Sequence, residues 1–197
     1  SYETLLQALA HLGTQSGHPE LATIPILFVG HSMGGCTAYG FSRVHGARVV
    51  GFVTMKGACH NTGPAAAAAA VPGYFLIGRM DAPYRAANIT AVFEAGRAGG
   101  APWALSIDPS GHDPMADLDQ MFGWMDVVLK ARLPATAGAP LRAMSEPAGW
   151  LGNRATGAIS TYACYRSTRS AATWLPSRET ALGWQRMAGG AQVLSEC

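Results

Sequence analysis

Apolar residues follow two alternating patterns along the first two thirds of the chain. Short continuous apolar runs, typical of strands buried on both faces of a sheet, occur at 24–29, 49–55, 73–77 and 103–107. Between and around them, apolar residues recur every three or four positions, as on one face of a helix. This spacing predicts helices over 2–12, 34–44, 84–97 and 118–129, with residues 14–20 as a polar loop.

Strands that alternate with helices form βαβ units, whose strands run in parallel. The pattern therefore predicts an α/β fold with a mostly parallel sheet flanked by helices. A linker rich in Pro, Ala and Gly follows at 134–140, and residues 141–197 lack the alternation. Ser177 is a predicted N-cap for a helix over 178–188. We divide the chain into a core, 1–133, and a linker with a C-terminal extension, 134–197, that packs on it.

Composition excludes several classes of protein. Charged residues make up 13% of the chain and hydrophobic residues 49%, which indicates a folded domain and not a disordered one. A net charge of +2 with scattered Arg residues does not favour binding to nucleic acid or to a membrane surface. No apolar run reaches the roughly 18 residues of a membrane span. No cluster of His and Cys has metal-ligand spacing, so we expect no metal and no cofactor.

Four cysteines leave the redox state open. Cys36 falls on a predicted buried helix and is interpreted as a small core residue. Cys59, Cys164 and Cys197 leave room for one disulfide if the protein is exported. A secreted or periplasmic location is compatible with this reading.

The segment Gly30-His31-Ser32-Met33-Gly34 has the pattern G-x-S-x-G. It directly follows a predicted buried strand and opens a predicted helix, which is the strand–turn–helix context of a serine nucleophile. A sharp turn with small neighbours lifts the Ser32 hydroxyl above the edge of the sheet. The start of the helix also places the Met33 N–H where it can stabilise an oxyanion.

A serine nucleophile needs a base and an acid that orients the base. Asp81 lies just beyond the third predicted strand, and His112 lies just beyond the fourth. Because the carboxyl ends of parallel strands share one edge of the sheet, we expect both side chains near Ser32. The order Ser, Asp, His along the chain is the one that this architecture uses. Asp108, at the end of the fourth strand, is the rival acid.

Two further histidines are candidates for contact with a substrate. His31 is next to Ser32, but we expect its side chain to point away from the hydroxyl and to shape the turn. His60 follows the second predicted strand, near the expected mouth of the site.

The motifs GHSMGG at 30–35, GRMD at 78–81 and GHDP at 111–114 resemble those of the α/β-hydrolase family of serine esterases and lipases. The resemblance covers residues 2–133. It implies Ser32 as nucleophile, Asp81 as acid, His112 as base and Met33 as one oxyanion donor. It also implies a small carboxylic ester as substrate.

The sequence departs from this family before the nucleophile strand. Complete members have further strands there, one of which pairs with the nucleophile strand and leads into the loop with a second oxyanion N–H. We therefore expect one edge of the strand at 24–29 to be unpaired within this sequence. We also expect a companion N-terminal segment to complete the sheet.

Two alternative functions stay open from the sequence. An acyltransferase or an amidase uses the same three residues with another acceptor or leaving group. A non-catalytic or incomplete hydrolase-like module keeps the fold without turnover. A serine-directed probe separates the second alternative from an enzyme, and a comparison of acceptors separates the first.

Overall fold

Four parallel strands form the central layer of the molecule. A computed structural model of the chain describes residues 1–59, 63, 66–114, 118–189 and 194–197. The strands pair in the order β1-β2-β3-β4, and every pairing is parallel. Their bounds are β1 (Ile26–His31), β2 (Val49–Met55), β3 (Gly73–Gly78) and β4 (Trp103–Asp108). This arrangement confirms the predicted α/β class with a parallel sheet.

Helices cover both faces of this sheet. They are α1 (Tyr2–Ser16), α2 (Met33–His45), α3 (Ala66–Ala69), α4 (Pro83–Ala98), α5 (Leu118–Arg132) and α6 (Arg178–Ala188). One apolar cluster joins α1, α2 and α4 to one face through aromatic side chains that include Phe41, Phe75 and Trp103. A second cluster joins α5 and α6 to the other face through Trp124 and Trp184. All residues of β2 and β3 are buried between these layers.

The first strand is shifted from its predicted position and is less buried. It begins after Pro25, which has no N–H to give to the ladder. It continues to His31 because the parallel pairing with β2 extends that far. The prediction that this strand is buried on both faces is wrong, since Val29 is 40% exposed.

The position of β1 at the margin of the sheet explains its exposure. Within the described parts of the chain, β1 pairs with β2 alone, so its outer edge carries no strand. This agrees with the unpaired edge that the sequence predicts. The companion segment that would pair with this edge stays a prediction.

Helix α1 extends beyond its predicted end into the stretch 14–20 that reads as a polar loop. The hydroxyls of Thr14 and Ser16 bond back to carbonyls one turn earlier, which satisfies these polar side chains inside the helix. The helix ends at Gly17, whose φ of 75° is left-handed and favours glycine. These side-chain hydrogen bonds explain how polar residues at 14–16 continue the helix instead of forming the predicted loop.

The C-terminal extension forms a second, small sheet that the sequence did not predict. Its strands are β5 (Trp150–Gly152), β6 (Ile159–Thr161), β7 (Thr173–Leu175) and β8 (Leu194–Ser195), in the order β7-β5-β6-β8. The predicted helix of the extension is confirmed as α6. The Ser177 hydroxyl caps it by accepting a hydrogen bond from the Thr180 N–H.

The extension is joined to the core by buried hydrogen bonds. The backbone N–H of Leu105 donates to the Thr173 hydroxyl at 2.7 Å, and its carbonyl accepts from the Trp184 indole at 2.7 Å. Arg97 of α4 is buried and forms an ion pair of 2.6 Å with Glu146. The same guanidinium donates to two backbone carbonyls of the extension. The outer edge of β4 is thus covered by side chains of the extension.

The four cysteines form two disulfides, Cys36–Cys59 and Cys164–Cys197. The interpretation of Cys36 as a small core residue is therefore wrong. Cys36 is only partly buried in the first turns of α2, and its partner follows β2. The first disulfide joins the start of α2 to the segment that follows β2.

Candidate active site

The residues that the sequence singles out lie at the carboxyl edge of the parallel sheet. Ser32 follows β1, Asp81 lies beyond β3 and His112 lies beyond β4. The Ser32 Oγ is 2.9 Å from Nε2 of His112. On the other side of the ring, Nδ1 of His112 is 2.8 Å from Oδ2 of Asp81. The three side chains form one hydrogen-bonded series.

A sharp turn presents the Ser32 hydroxyl. Ser32 has φ 54° and ψ −120°, a backbone conformation that residues with a side chain rarely adopt. The turn is held by the Ser32 N–H, which donates to the Met55 carbonyl at 2.8 Å. A side chain at Gly30 would overlap the backbone of Gly34, so the turn requires glycine there. The strand pairing and the glycine together fix the position of the hydroxyl.

Met33 is the first residue of α2 and lies directly after Ser32. The N–H groups of the first helical turn have no partner within the helix itself. The helix dipole adds partial positive charge at the same end. The Met33 N–H makes no hydrogen bond within α2. It can therefore donate to an acceptor next to the Ser32 hydroxyl.

The carboxylate of Asp81 is nearly buried and well hydrogen-bonded. Its Oδ1 accepts from the Ala82 N–H at 2.7 Å and lies 3.3 Å from Nε of Arg85. Burial raises the pKa of Asp81, but the hydrogen bonds from His112 and Ala82 and the charge of Arg85 outweigh it. The pKa of Asp81 consequently lies below its ordinary value of 3.8, and the group is ionised at neutral pH.

The ionised carboxylate decides which nitrogen of the imidazole carries a proton. Because a carboxylate only accepts hydrogen bonds, Nδ1 of His112 must donate to Asp81. In the neutral ring, Nε2 is then an acceptor, and it faces the Ser32 hydroxyl. The imidazole is thus arranged to receive the hydroxyl proton.

The rival acid Asp108 is directed elsewhere. It is buried, and its Oδ2 lies 2.9 Å from Nζ of Lys56. Its Oδ1 accepts from the backbone N–H and the hydroxyl of Ser110, at 2.7 and 2.6 Å. The structure therefore brings Asp81 to Nδ1 of His112 and leaves Asp108 to Lys56 and Ser110.

Of the other two candidate histidines, His31 is described by the structure and His60 is not. Nε2 of His31 lies 2.8 Å from the backbone carbonyl of His112, and the two rings are 4.9 Å apart. His31 therefore supports the segment that carries His112, which fits the expectation that it shapes the turn. His60 lies outside the described residues.

Sequence reasoning assigned no role to Lys56 or Arg85, which both lie beside the site. Lys56 directly follows β2, at the same edge of the sheet as the candidate residues. It is one of only two lysines among the 14 basic residues of the chain, which is the one signal that pointed to it. Arg85 is an i+4 partner of Asp81 in the first turn of α4.

Acid is expected to weaken the fold through Asp108. Burial raises the pKa of Asp108, but the hydrogen bonds from Ser110 and Lys56 outweigh it and hold the pKa below 3.8. The unfolded chain therefore takes up protons first as the pH falls, so stability decreases with falling pH. Urea denaturation should show a declining free energy of unfolding between about pH 5 and about pH 2.

An isosteric variant gives this pH prediction a residue-specific test. The stability difference between the wild type and Asp108→Asn should be largest near neutral pH and should shrink in acid. Asp126→Asn is the control, because Asp126 and its partner Lys130 are both largely exposed and contribute little. A difference for Asp108→Asn that does not change with pH would contradict the prediction.

Comparisons with known proteins supply no relative on which an assignment can rest. No protein-family model matches the sequence, and a search among curated proteins gives no match. Across the described segments, no group of three or more His, Cys, Asp or Glu is placed to hold a metal ion. None of the helices in those segments combines the length and apolar character needed to cross a membrane.

Proposed function

We propose that the chain is a serine hydrolase of the α/β-hydrolase type that cleaves carboxylic esters. The hydrogen-bonded series Ser32–His112–Asp81, with distances of 2.9 and 2.8 Å, carries the proposal. A hydroxyl next to an imidazole that is held by a carboxylate is an arrangement suited to nucleophilic catalysis. The order of the three residues along the chain and the strained turn at Ser32 support the family.

In the first half of the proposed reaction, His112 acts as a general base. Its Nε2 takes the proton of the Ser32 hydroxyl as Oγ attacks the ester carbonyl carbon. The carbonyl oxygen becomes an oxyanion, which accepts a hydrogen bond from the Met33 N–H. Asp81 stabilises the imidazolium without taking its proton.

Collapse of the tetrahedral intermediate breaks the bond to the alcohol oxygen. The imidazolium of His112 gives its proton to that oxygen, the alcohol leaves, and the acyl group stays on Ser32. In the second half, His112 takes a proton from water, which attacks the acyl carbon. The intermediate then releases the carboxylic acid, and the proton returns to the Ser32 Oγ.

Exposed apolar side chains beside the series favour a substrate with an apolar part. Met33 adjoins Ser32 and is 70% exposed, and Met80 adjoins Asp81 and is 74% exposed. Tyr84, three residues beyond Asp81, is also exposed. Large apolar groups that water surrounds contribute binding free energy when a ligand covers them. This feature supports an ester with an apolar acyl or alcohol group.

Covalent labelling by a fluorophosphonate probe tests the proposal directly. The probe forms a bond only with an activated hydroxyl, so we expect one label on the folded protein, on the peptide that contains Ser32. Peptide mass spectrometry locates the label. Ser16→Ala is the matched control, because Ser16 lies on the exposed end of α1 and its loss should leave labelling unchanged.

The labelling experiment has a clear negative outcome. A known esterase added to the same sample serves as the positive control. If the esterase is labelled and the folded protein is not, the proposal is contradicted. Heat-unfolded protein should not react, because the imidazole no longer lies beside the hydroxyl.

A further inference from the structure

Lys56 is a buried cation beside the candidate site, outside the Ser32–His112–Asp81 series. Its side chain is fully buried, and its backbone has a left-handed φ of 56°. A buried ammonium lowers stability unless it is paired and hydrogen-bonded, and a left-handed φ adds strain for a residue with a side chain. Lys56 therefore carries backbone strain at the sheet edge where Ser32 lies, and its buried ammonium requires partners.

The ammonium of Lys56 has three polar partners, through one ion pair and two hydrogen bonds. Nζ lies 2.9 Å from Oδ2 of Asp108, donates to the Ser110 hydroxyl at 2.7 Å and donates to the Asp113 carbonyl at 2.5 Å. Ser110 and Asp113 lie on either side of His112 in the chain. The Lys56 side chain thus bonds to the chain on both sides of His112.

The backbone of Lys56 reaches the acid side of the series. Its carbonyl accepts from Nη1 of Arg85 at 3.3 Å, and Nε of the same guanidinium lies 3.3 Å from Asp81. Its N–H donates to the Leu76 carbonyl of β3 at 2.9 Å. Lys56, which directly follows β2, therefore contacts β3 and Arg85 through its backbone. Its side chain contacts the segment that carries His112.

Another buried cation, Arg97, provides a contrast. Its partners are Glu146 and backbone carbonyls of the extension and of the turn after α4, away from the three residues of the series. Arg97 therefore joins two parts of the fold. Lys56 has its side-chain partners within the six residues 108–113, which include His112.

We propose that Lys56 is a positioning residue that holds the segment 108–113 so that Nε2 of His112 meets the Ser32 hydroxyl. The inference rests on the proposed hydrolase function. A displacement of a reacting group by about 1 Å lowers a rate by about 10²-fold. Loss of the contacts between the Lys56 ammonium and this segment should therefore lower kcat. The KM should stay nearly unchanged, because Lys56 is buried and does not reach a substrate.

The variant Lys56→Met tests the inference, since methionine keeps the length of the side chain and removes the charge. We expect kcat for a p-nitrophenyl ester to fall about 10- to 100-fold, with KM changed by less than about twofold. Proton NMR gives a second readout, the downfield signal of the His112 Nδ1–H bonded to Asp81. This signal should broaden or disappear in the variant, while near-ultraviolet circular dichroism stays that of the folded protein.

Two controls separate positioning from a general loss of stability. Lys130→Met removes the other lysine, which is exposed, and should leave kcat and the NMR signal unchanged. Arg97→Lys perturbs a buried cation remote from the series and should lower the melting temperature without changing kcat or the signal. If Lys56→Met does not fold, the double variant Lys56→Met/Asp108→Asn removes the unpaired buried carboxylate and should show the same loss of kcat.

The outcomes distinguish this inference from the proposed function. Folded Lys56→Met with the kcat and the NMR signal of an active wild type would overturn the inference and leave the hydrolase proposal intact. A wild type that neither turns over esters nor reacts with a fluorophosphonate would overturn the proposed function. In that case the NMR signal still tests whether Lys56 positions His112.

Discussion

Replacing Ser32 by Ala is expected to lower kcat for a short p-nitrophenyl ester by about 10⁶-fold. The substitution removes Oγ, which is the atom proposed to form the acyl bond and the atom that lies 2.9 Å from Nε2 of His112. The backbone turn is held by the Ser32 N–H and not by its side chain, so the variant should fold. Release of p-nitrophenol under saturating substrate measures the effect.

The comparison needs a variant purified in the same way. Ser16→Ala, which changes a serine at the end of α1, should keep the kcat of the wild type and so excludes an effect of handling or of a contaminating esterase. Most of the activity remaining in Ser32→Ala would remove Ser32 from the proposed mechanism.

The substitution Asp81→Asn is expected to lower kcat by about 10⁴-fold. The amide lacks the negative charge that stabilises the imidazolium. Its NH₂ group also favours the tautomer in which Nδ1 of His112 accepts and Nε2 carries the proton, so Nε2 cannot receive the proton of Ser32. Steady-state kinetics at neutral pH measures the loss, and the KM should change little.

The rival carboxyl supplies the matched control for Asp81. Asp108→Asn makes the same chemical change in a buried carboxyl that contacts Lys56 and Ser110, so its effect on kcat should be limited to about 10²-fold through positioning. A larger loss in Asp108→Asn than in Asp81→Asn would move the role of the acid to Asp108.

Much of the central layer was predictable because its inner strands, β2 and β3, are buried on both faces. The run 49–55 is apolar almost throughout, and all seven residues of β2 are buried as that pattern predicts. The meeting of Ser32, Asp81 and His112 follows from the same pattern. Each residue comes just after a predicted strand, and parallel strands bring their carboxyl ends to one edge.

Other features depend on contacts that no local pattern records. The side-chain partners of Lys56 lie 52 to 57 residues away along the chain, so the sequence alone assigns Lys56 no role. The three-residue strands of the extension are too short to show a period. The position of Cys36 on α2 favoured a core residue, because the segment with its partner Cys59 has no regular pattern.

The two edges of the parallel sheet differ in what they offer to another polypeptide. An open strand edge is a template on which a further backbone can pair. On β4, the N–H and the carbonyl of Leu105 are already used by Thr173 and Trp184, so addition is blocked there. On β1, the described residues leave the outer edge without a strand. Strand addition to the parallel sheet is therefore confined to the β1 side, and two copies that pair through their β1 edges leave no open edge of that sheet for a third copy.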